Sequence, residues 1–528
     1  MAVDYLFSQT LGGWKPYREH DTVLVVDFGG QYAHLIARRF RDVGVYSLLV
    51  PVDEFSREVV EEVRPKAIVF SGGPSSVYAP NAPKVPEWVL ELGVPILGIC
   101  YGFQLLALML GGVVERGKGE YGRTKIRLVK NDMLFYGWDS VEVVWMSHSD
   151  YVARVPSGVD VLAVSENGYV AAFRVQGKPV YGVQFHPEVV HTPKGRLLLY
   201  NFAVRVAGCR ATWKPEAIVD KLIDYVRRVA GGGGRLLAAV SGGVDSTTAA
   251  LIARKAVGKR LVTVFVDHGL LREGEREEVL GLLKRLGLEP LFVDASERFL
   301  SRLWGVSDCE ERRRIIGEEF ARIFQEIVER LGDIEYLVQG TTYPDVVESG
   351  AVKGADRIKT HHNVGGLPSW LKLKLVEPLR LLYKDEVRRI ALSLGVPYEA
   401  AYRHPFPGPG LAVRVIGKFT REKLEIVRKA SKIVEDVLKK YGLYYTVWQA
   451  FAVVGDDKWV GVKGDRRAVG YIVTVRIVLS EDAMTADWAR LPAEVLDEIS
   501  RRITWEIPEV TMVTYAITTK PPSTIEPC

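Results

Sequence analysis

The sequence predicts an α/β protein: two doubly wound parallel-sheet domains followed by a C-terminal α+β domain. Three observations predict it. Short runs of Val, Leu and Ile without polar alternation recur at residues 22–26, 47–50, 67–70 and 95–99, separated by helical or loop stretches. Runs of this kind are strands of a parallel sheet covered on both faces. The same alternation restarts at residues 235–240, after four consecutive glycines at 231–234. A Pro/Gly cluster at 404–410 then ends it, and a helix followed by strand-like runs takes over. A chain of 528 residues is too long for one core. The expected division is an extension at 1–20, a first domain at 21–210, a second at 211–405 and a third at 406–528.

Taken in order, the strand at 22–26 ends at Asp27-Phe28-Gly29-Gly30, and a helix runs through Ile36 to Arg39. Strands at 47–50, 67–70 and 95–99 follow. From about Lys125 to Val183 the pattern is shorter and β-rich, which extends the same sheet. Residues 208–213 read as a boundary. A helix is expected over 215–230, with Pro215 suited to its first turn. Strands at 235–240, 261–266, 291–293 and 336–338 build the second sheet, closed by 371–382 and a helix over 384–394. Beyond the Pro/Gly cluster come a helix at 421–440 and strands at 450–454, 471–479 and 511–517.

Composition narrows the function classes. The apolar fraction of 48% and charged fraction of 26% are those of a globular protein. A net charge of +5 is small for this length and speaks against a nucleic-acid binder. Cys100, Cys209, Cys309 and Cys528 show no CxxC spacing, which argues against a disulfide framework or structural zinc and for a reducing compartment, hence the cytoplasm. Cys209, Cys309 and Cys528 are expected to be inert. Residues 1–20 lack the basic-then-apolar order of a signal peptide, and no apolar run reaches the ~20 residues of a membrane span.

Two loops carry chemistry. Gly98-x-Cys100-x-Gly102 ends a strand and enters an apolar helix expected over 103–110. Small flanking residues let the backbone bend around a nucleophile, and a helix N-terminus favours thiolate. In Gln184-Phe185-His186-Pro187-Glu188, the proline biases His186 to an extended backbone, so His186 and Glu188 face one way. His186 is assigned as general base and Glu188 as its orienting carboxylate. Ser71-Gly72-Gly73-Pro74 follows another strand and offers backbone N–H groups to an oxyanion. His148, in Ser147-His148-Ser149-Asp150, fits either a substrate contact or a loop hydrogen bond. The second loop, Ser241-Gly242-Gly243-Val244-Asp245-Ser246-Thr247, lies between a strand and a helix expected over 248–253. Its glycines let the backbone approach a phosphate chain, and Asp245 can hold Mg²⁺ beside it. The lysine of the GxxxxGK[ST] loop is absent. Val266, at the end of the next strand, is placed as an adenine neighbour.

Residues 22–208 resemble a class I glutamine amidotransferase, and 241–247 resembles the PP-loop of ATP pyrophosphatases. The stretches Gln339 to Ser349, Lys359 to Pro368 (with His-His-Asn-Val-Gly-Gly-Leu-Pro), Arg403 to Leu411 and Lys520 to Glu526 extend the likeness. In that order they resemble the glutamine-hydrolysing GMP synthetase family over nearly the whole chain after residue 20. The resemblance implies a glutamyl thioester on Cys100, with Gly72, Gly73, Gln104, His148 and Asp150 around the oxyanion and glutamine. It implies glutamine, ATP with Mg²⁺ and xanthosine 5′-phosphate (XMP) as substrates, and no prosthetic group. Asp345, Glu348, Lys359, His361 and His362 would form a lid; Arg313, Lys520 and Glu526 would contact XMP; the third domain would form a homodimer. Five positions depart from the family pattern. Ser149 replaces a usual glycine, Gly30 a common serine and Cys309 a usual proline, and Pro527-Cys528 follow Glu526 where Trp-Glu is usual. A glutamine-dependent NAD synthetase lacks the HHNVGGLP and RHPFPGPG stretches. A tRNA-modifying PP-loop protein would have no use for Cys100, His186 and Glu188.

Overall fold

Strands β1 (Thr22–Asp27), β2 (Tyr46–Pro51), β3 (Ala67–Phe70) and β4 (Ile96–Ile99) are the continuous apolar runs, and they pair in parallel. The computed structural model describes residues 10–350, 373–480, 483 and 485–528, without the side chains of 347–350. Its contacts divide it into two compact units between Lys214 and Pro215.

In the first unit, β5 (Val113–Leu128), β6 (Val141–Arg154), β7 (Val159–Ser165), β8 (Val170–Val175) and β9 (Val180–Val183) complete a nine-stranded sheet. Its order is β2-β1-β3-β4-β9-β8-β7-β5-β6. Strand β9 runs parallel to β4, and the rest of this half is antiparallel. The antiparallel ribbon begins at Val113, earlier than the expected Lys125. After Val113 and the buried Val114 it runs through four exposed residues, with Glu115, Arg116 and Lys118 among them, which hides the strand from an apolar-run reading. Helix α1 (Ala33–Asp42) buries one face, whereas every residue of α2 (Tyr101–Met109) from Tyr101 to Ala107 is buried. The expected boundary at 208–213 is packed down: Trp213 is buried on Tyr46, and its N–H donates to the Gly44 carbonyl at 2.8 Å.

In the second unit, β10 (Arg235–Ala239), β11 (Leu261–Asp267), β12 (Leu291–Asp294), β13 (Ile334–Val338) and β14 (Lys374–Val376) form an all-parallel sheet of order β12-β11-β10-β13-β14. Helix α3 (Val219–Val229) precedes it. Helix α4 (Val244–Val257) starts inside the loop motif, four residues before the expected 248, because Gly243 is already its N-cap. Helix α5 (Cys309–Leu331) is capped by the Asp308 carboxylate, which accepts from the Glu311 N–H. Helices α6 (Lys384–Ser393) and α7 (Arg421–Lys440) follow. A long hairpin, β15 (Gln449–Lys463) and β16 (Arg466–Leu479), then pairs with β17 (Asp487–Trp488) and β18 (Val510–Tyr515). One apolar core joins both parts of the unit, from Leu237 and Val264 through Val427 and Val434 to Val473 and Val475.

The cysteine expectation needs correction. Cys309 and Cys528 are disulfide-bonded, with Cα atoms 5.8 Å apart and 219 residues between them in sequence. Spacing rules see only near neighbours, so a pair closed by tertiary structure escapes them. Cys209 is a buried thiol pushed up to about 12 by burial and by Asp21, which keeps it inert.

Candidate active sites

Three neighbouring strands of the first sheet deliver the first site. Phe70 ends β3 before Ser71-Gly72-Gly73, Ile99 ends β4 before Cys100, and Val183 ends β9 before His186 and Glu188. Parallel sheets bind ligands at these carboxyl ends. Cys100 sits at φ 53°, a left-handed conformation unusual for a side-chain-bearing residue, directly before α2. The flanking glycines make that turn possible. A β-carbon on Gly98 would lie 2.4 Å from the Gly102 carbonyl oxygen, and one on Gly102 would lie 2.4 Å from that of Phe70.

His186 is buried, and its Nδ1 faces Glu188 Oε1 at 2.6 Å. Burial alone would lower the imidazole. The charges of Glu188 and Cys100, with hydrogen bonds to both, outweigh it and raise His186 to about 10. The imidazolium therefore faces Cys100 on one side and a carboxylate on the other, the nucleophile–base–orienter arrangement of covalent catalysis. Glu188 Oε2 is buried without a hydrogen-bond partner among the described residues, so Oε1 carries the pairing. Gly72 lies against both groups: a β-carbon there would be 3.3 Å from His186 Cε1 and 3.7 Å from Cys100 Cβ. A β-carbon at Gly30 would fall 2.3 Å from the Gly72 carbonyl oxygen, so the glycine lets the two loops touch.

Gln104 is buried and turned inward; its amide donates to the Asp150 carbonyl at 2.8 Å and to Gln184 Oε1 at 3.1 Å. His148 is also buried, bonded to the Asp150 carbonyl at 2.8 Å and to Glu120 Oε2 at 3.2 Å. Asn167 donates to the other Glu120 oxygen at 2.7 Å. The strand beside Cys100 is thus held by Gln104, His148 and Glu120; its Ser147 carbonyl is 3.7 Å from Cys100 Sγ. Sequence reasoning missed Glu120, Arg39 and Thr192. Arg39 Nε donates to the Glu188 carbonyl at 2.9 Å, and the Thr192 hydroxyl donates to the His186 carbonyl at 2.7 Å. No motif marks these three.

The second site lies where the strand order reverses around β10. Gly242 has φ +77°, and a β-carbon there would meet Val279 at 2.3 Å. The hydroxyls of Ser241 and Ser246 lie 3.2 Å apart, and Gly243 N–H donates to Ser241 Oγ at 3.4 Å. Val244, Asp245, Ser246 and Thr247 form the first turn of α4, where the helix dipole favours an anion. Asp245 Oδ2 pairs with Lys384 Nζ at 2.6 Å, whereas Oδ1 is buried without a hydrogen-bond partner among the described residues. Lys384, the first residue of α6, puts a cation beside the loop motif; sequence reasoning missed it. Val266 is nearly buried at the end of β11. Asp345 caps its own helix, accepting from Thr342 N at 2.9 Å and Thr342 Oγ1 at 2.7 Å. Lys359, His361 and His362, and the Glu348 side chain, lie outside the described residues. Among the described residues no cluster of three or more His, Cys, Asp or Glu could hold a metal ion.

The XMP candidates fall in the same unit. Arg313 donates to the Cys528 carbonyl. Glu526 accepts from Arg414 at 2.9 and 3.1 Å and from Gln449 at 2.6 Å. Lys520 Nζ donates to the Ala483 carbonyl at 2.7 Å. His404 of the Pro/Gly cluster is structural: it stacks on Tyr444 with centroids 3.8 Å apart and bonds the Tyr444 carbonyl at 2.7 Å.

Comparisons with known proteins agree with this geometry. Residues 24–206 match the family model "Glutamine amidotransferase class-I", and 436–527 match "GMP synthase C terminal domain". The chain is 63% identical over 510 residues to "GMP synthase [glutamine-hydrolyzing]" of Pyrobaculum aerophilum, covering 96% of this chain and 100% of that one. It is 52% identical over 514 residues to the protein of the same name from Symbiobacterium thermophilum, covering 96% and 99%. It is 50% identical over 511 residues to that of Caldicellulosiruptor saccharolyticus, again covering 96% and 99%. The chain belongs to the glutamine-hydrolysing GMP synthase family.

Proposed function

We propose that this chain is a ligase that converts XMP to GMP with ATP, using ammonia freed from glutamine. The carrying observation is the buried Cys100-His186-Glu188 set in the same polypeptide as the Ser241–Thr247 loop with its Asp245–Lys384 pair. In the first unit, Cys100 Sγ attacks the glutamine amide carbon, and the Gly72-Gly73 backbone stabilises the oxyanion. His186 gives its proton to the departing ammonia. It then takes one from the water that cleaves the glutamyl thioester, leaving glutamate. In the second unit, the XMP 2-oxygen attacks the ATP α-phosphate and pyrophosphate leaves. Ammonia then attacks C2 of the adenyl-XMP, expelling AMP. Main-chain N–H groups and hydroxyls of residues 241–247 cradle the phosphates, with Lys384 opposing their charge. The buried Asp245 Oδ1 is suited to Mg²⁺ arriving with ATP. Asp345, Glu348, Lys359, His361 and His362 are assigned to the lid, and Arg313, Lys520 and Glu526 to XMP.

Exposed Val460, Val462 and Val469, which share one face of the β15–β16 hairpin, support a homodimer, because neighbouring apolar side chains on a surface mark association sites. A cytoplasmic setting is the reading that these small-molecule substrates support. Following XMP conversion at the base, with glutamine and then ammonium as donor, tests the reading. Cys100→Ala abolishes the first and spares the second. Equal loss with both donors, or no amination of XMP by the unaltered protein, refutes it.

A further inference from the structure

The segment 518–528 lies on the second unit largely through polar contacts. Arg476 of β16 donates to the carbonyls of Thr518 and Thr524 at 2.5 and 3.1 Å, and Arg414 grips Glu526 with two hydrogen bonds. One apolar side chain, Ile525, is buried, in a small cluster with Phe451 and Val478. Each polar contact replaces a bond to water and contributes little net free energy. The disulfide differs in kind. Cys309 opens α5 and Arg313 lies one turn later, so the covalent bond and the Arg313 contact fix the end of this segment to one helical turn.

We propose that the Cys309–Cys528 bond is a thiol-controlled strap that sets the affinity of the second unit for XMP. Oxidised, it holds Glu526 and Arg313 in register; reduced, it lets the segment leave for part of the time. This rests on the assignment of Arg313 and Glu526 to XMP. Closure from the dithiol uses a small-molecule disulfide as oxidant. One cysteine thiolate attacks it and releases one small thiol; the second cysteine thiolate then attacks the mixed disulfide and releases the other. Two protein thiols and one RSSR become one protein disulfide and two RSH, and reduction by a dithiol reverses the exchange.

If reduction leaves the segment docked for a fifth of the time, apparent XMP affinity falls about fivefold, since affinity scales with the competent fraction. The full chain is tested after incubation with glutathione disulfide, after reduction with dithiothreitol, and as the Cys309→Ser, Cys528→Ser double variant. Ammonium is the nitrogen donor, so the state of Cys100 does not matter. Peptide mapping of the oxidised, alkylated protein should find the peptides of Cys309 and Cys528 linked. The XMP KM should rise about threefold to tenfold in the reduced and variant proteins. The ATP KM, and kcat at saturating XMP, should stay unchanged, and the variant should ignore dithiothreitol. Absence of the linked peptides overturns the proposal. So does an XMP KM indifferent to reduction, or a parallel loss of ATP affinity, which would mean general loosening. If no form aminates XMP, the assigned function fails instead of the strap.

Discussion

Replacing Glu188 by Gln removes one negative charge from a buried contact and leaves its shape in place. The magnitude follows from two routes. His186 stands at about 10 against an ordinary 6.5, and that difference corresponds to about 5 kcal/mol favouring the imidazolium. Two unit charges about 4 Å apart in an effective dielectric of about 20 attract by about 4 kcal/mol. Glu188 and Cys100 both raise the group and burial opposes them, so the Glu188 charge is worth on the order of the Coulomb figure. Without that charge His186 falls from about 10 back towards its ordinary range, and the imidazolium beside Cys100 is disfavoured. Glutaminase kcat/KM should fall by about 10²–10³, whereas ammonium-supported synthesis should keep its rate. A pH signature accompanies this. A histidine raised on folding contributes stability that is fully present below about 6.5 and lost as pH rises through about 10. The first unit of the unaltered protein should therefore lose stability across that window, and Glu188→Gln should flatten the loss. Glutamate release and GMP formation are followed in parallel, with denaturant unfolding at pH 6.5, 8 and 9.5. A glutaminase loss of less than about threefold would refute the reasoning; so would an equal loss with ammonium.

Asp245→Asn and Lys384→Met should each impair synthesis with either nitrogen donor while glutamine hydrolysis persists; a defect confined to glutamine would contradict their place at the phosphates. His268 and His404 are both pushed down to about 4 by burial. The unfolded chain therefore binds their protons first as pH drops below 6.5, costing the second unit about 2 kcal/mol per histidine at pH 5. His404→Phe, which keeps the stack on Tyr444, should remove about half of this acid sensitivity in denaturant titrations, and an unchanged slope between pH 8 and 5 excludes it. Lys520→Ala should weaken XMP binding tenfold to a hundredfold, the effect of losing a charge-assisted contact of roughly 1.5–3 kcal/mol. ATP binding should hardly change; equal XMP titrations for both proteins would remove Lys520 from the site.

Legibility tracked how local each signal was. The strands at 22–26 and 261–266 were plain because a parallel strand buried on both faces is apolar throughout. Cys100, His186, Glu188 and the 241–247 loop were plain because each chemistry needs small residues at fixed spacing, and the Gly98 and Gly102 clearances give the reason. Glu120 and Lys384 were not. Each acts through contacts to residues remote in sequence, Glu120 to His148 and Asn167 and Lys384 to Asp245, and neither has a distinguishing neighbourhood of its own. The Cys309–Cys528 bond depends on a closure that no local pattern encodes.

The position of β9 between β4 and β8 has a kinetic consequence. His186 and Glu188 follow a strand that joins the sheet beside β4 only after the antiparallel excursion of residues 113–175 has been made and folded back. Cys100 can be in place, with α2 packed behind it, long before its base arrives. Closing so long a loop costs chain entropy before any contact offsets it, and contacts of large sequence separation form slowly. A newly made chain therefore holds an unpaired cysteine until the sheet is zipped through its centre. Recovery of thiol reactivity at Cys100 during refolding would time the insertion of a single strand, read out by the enzyme's own chemistry.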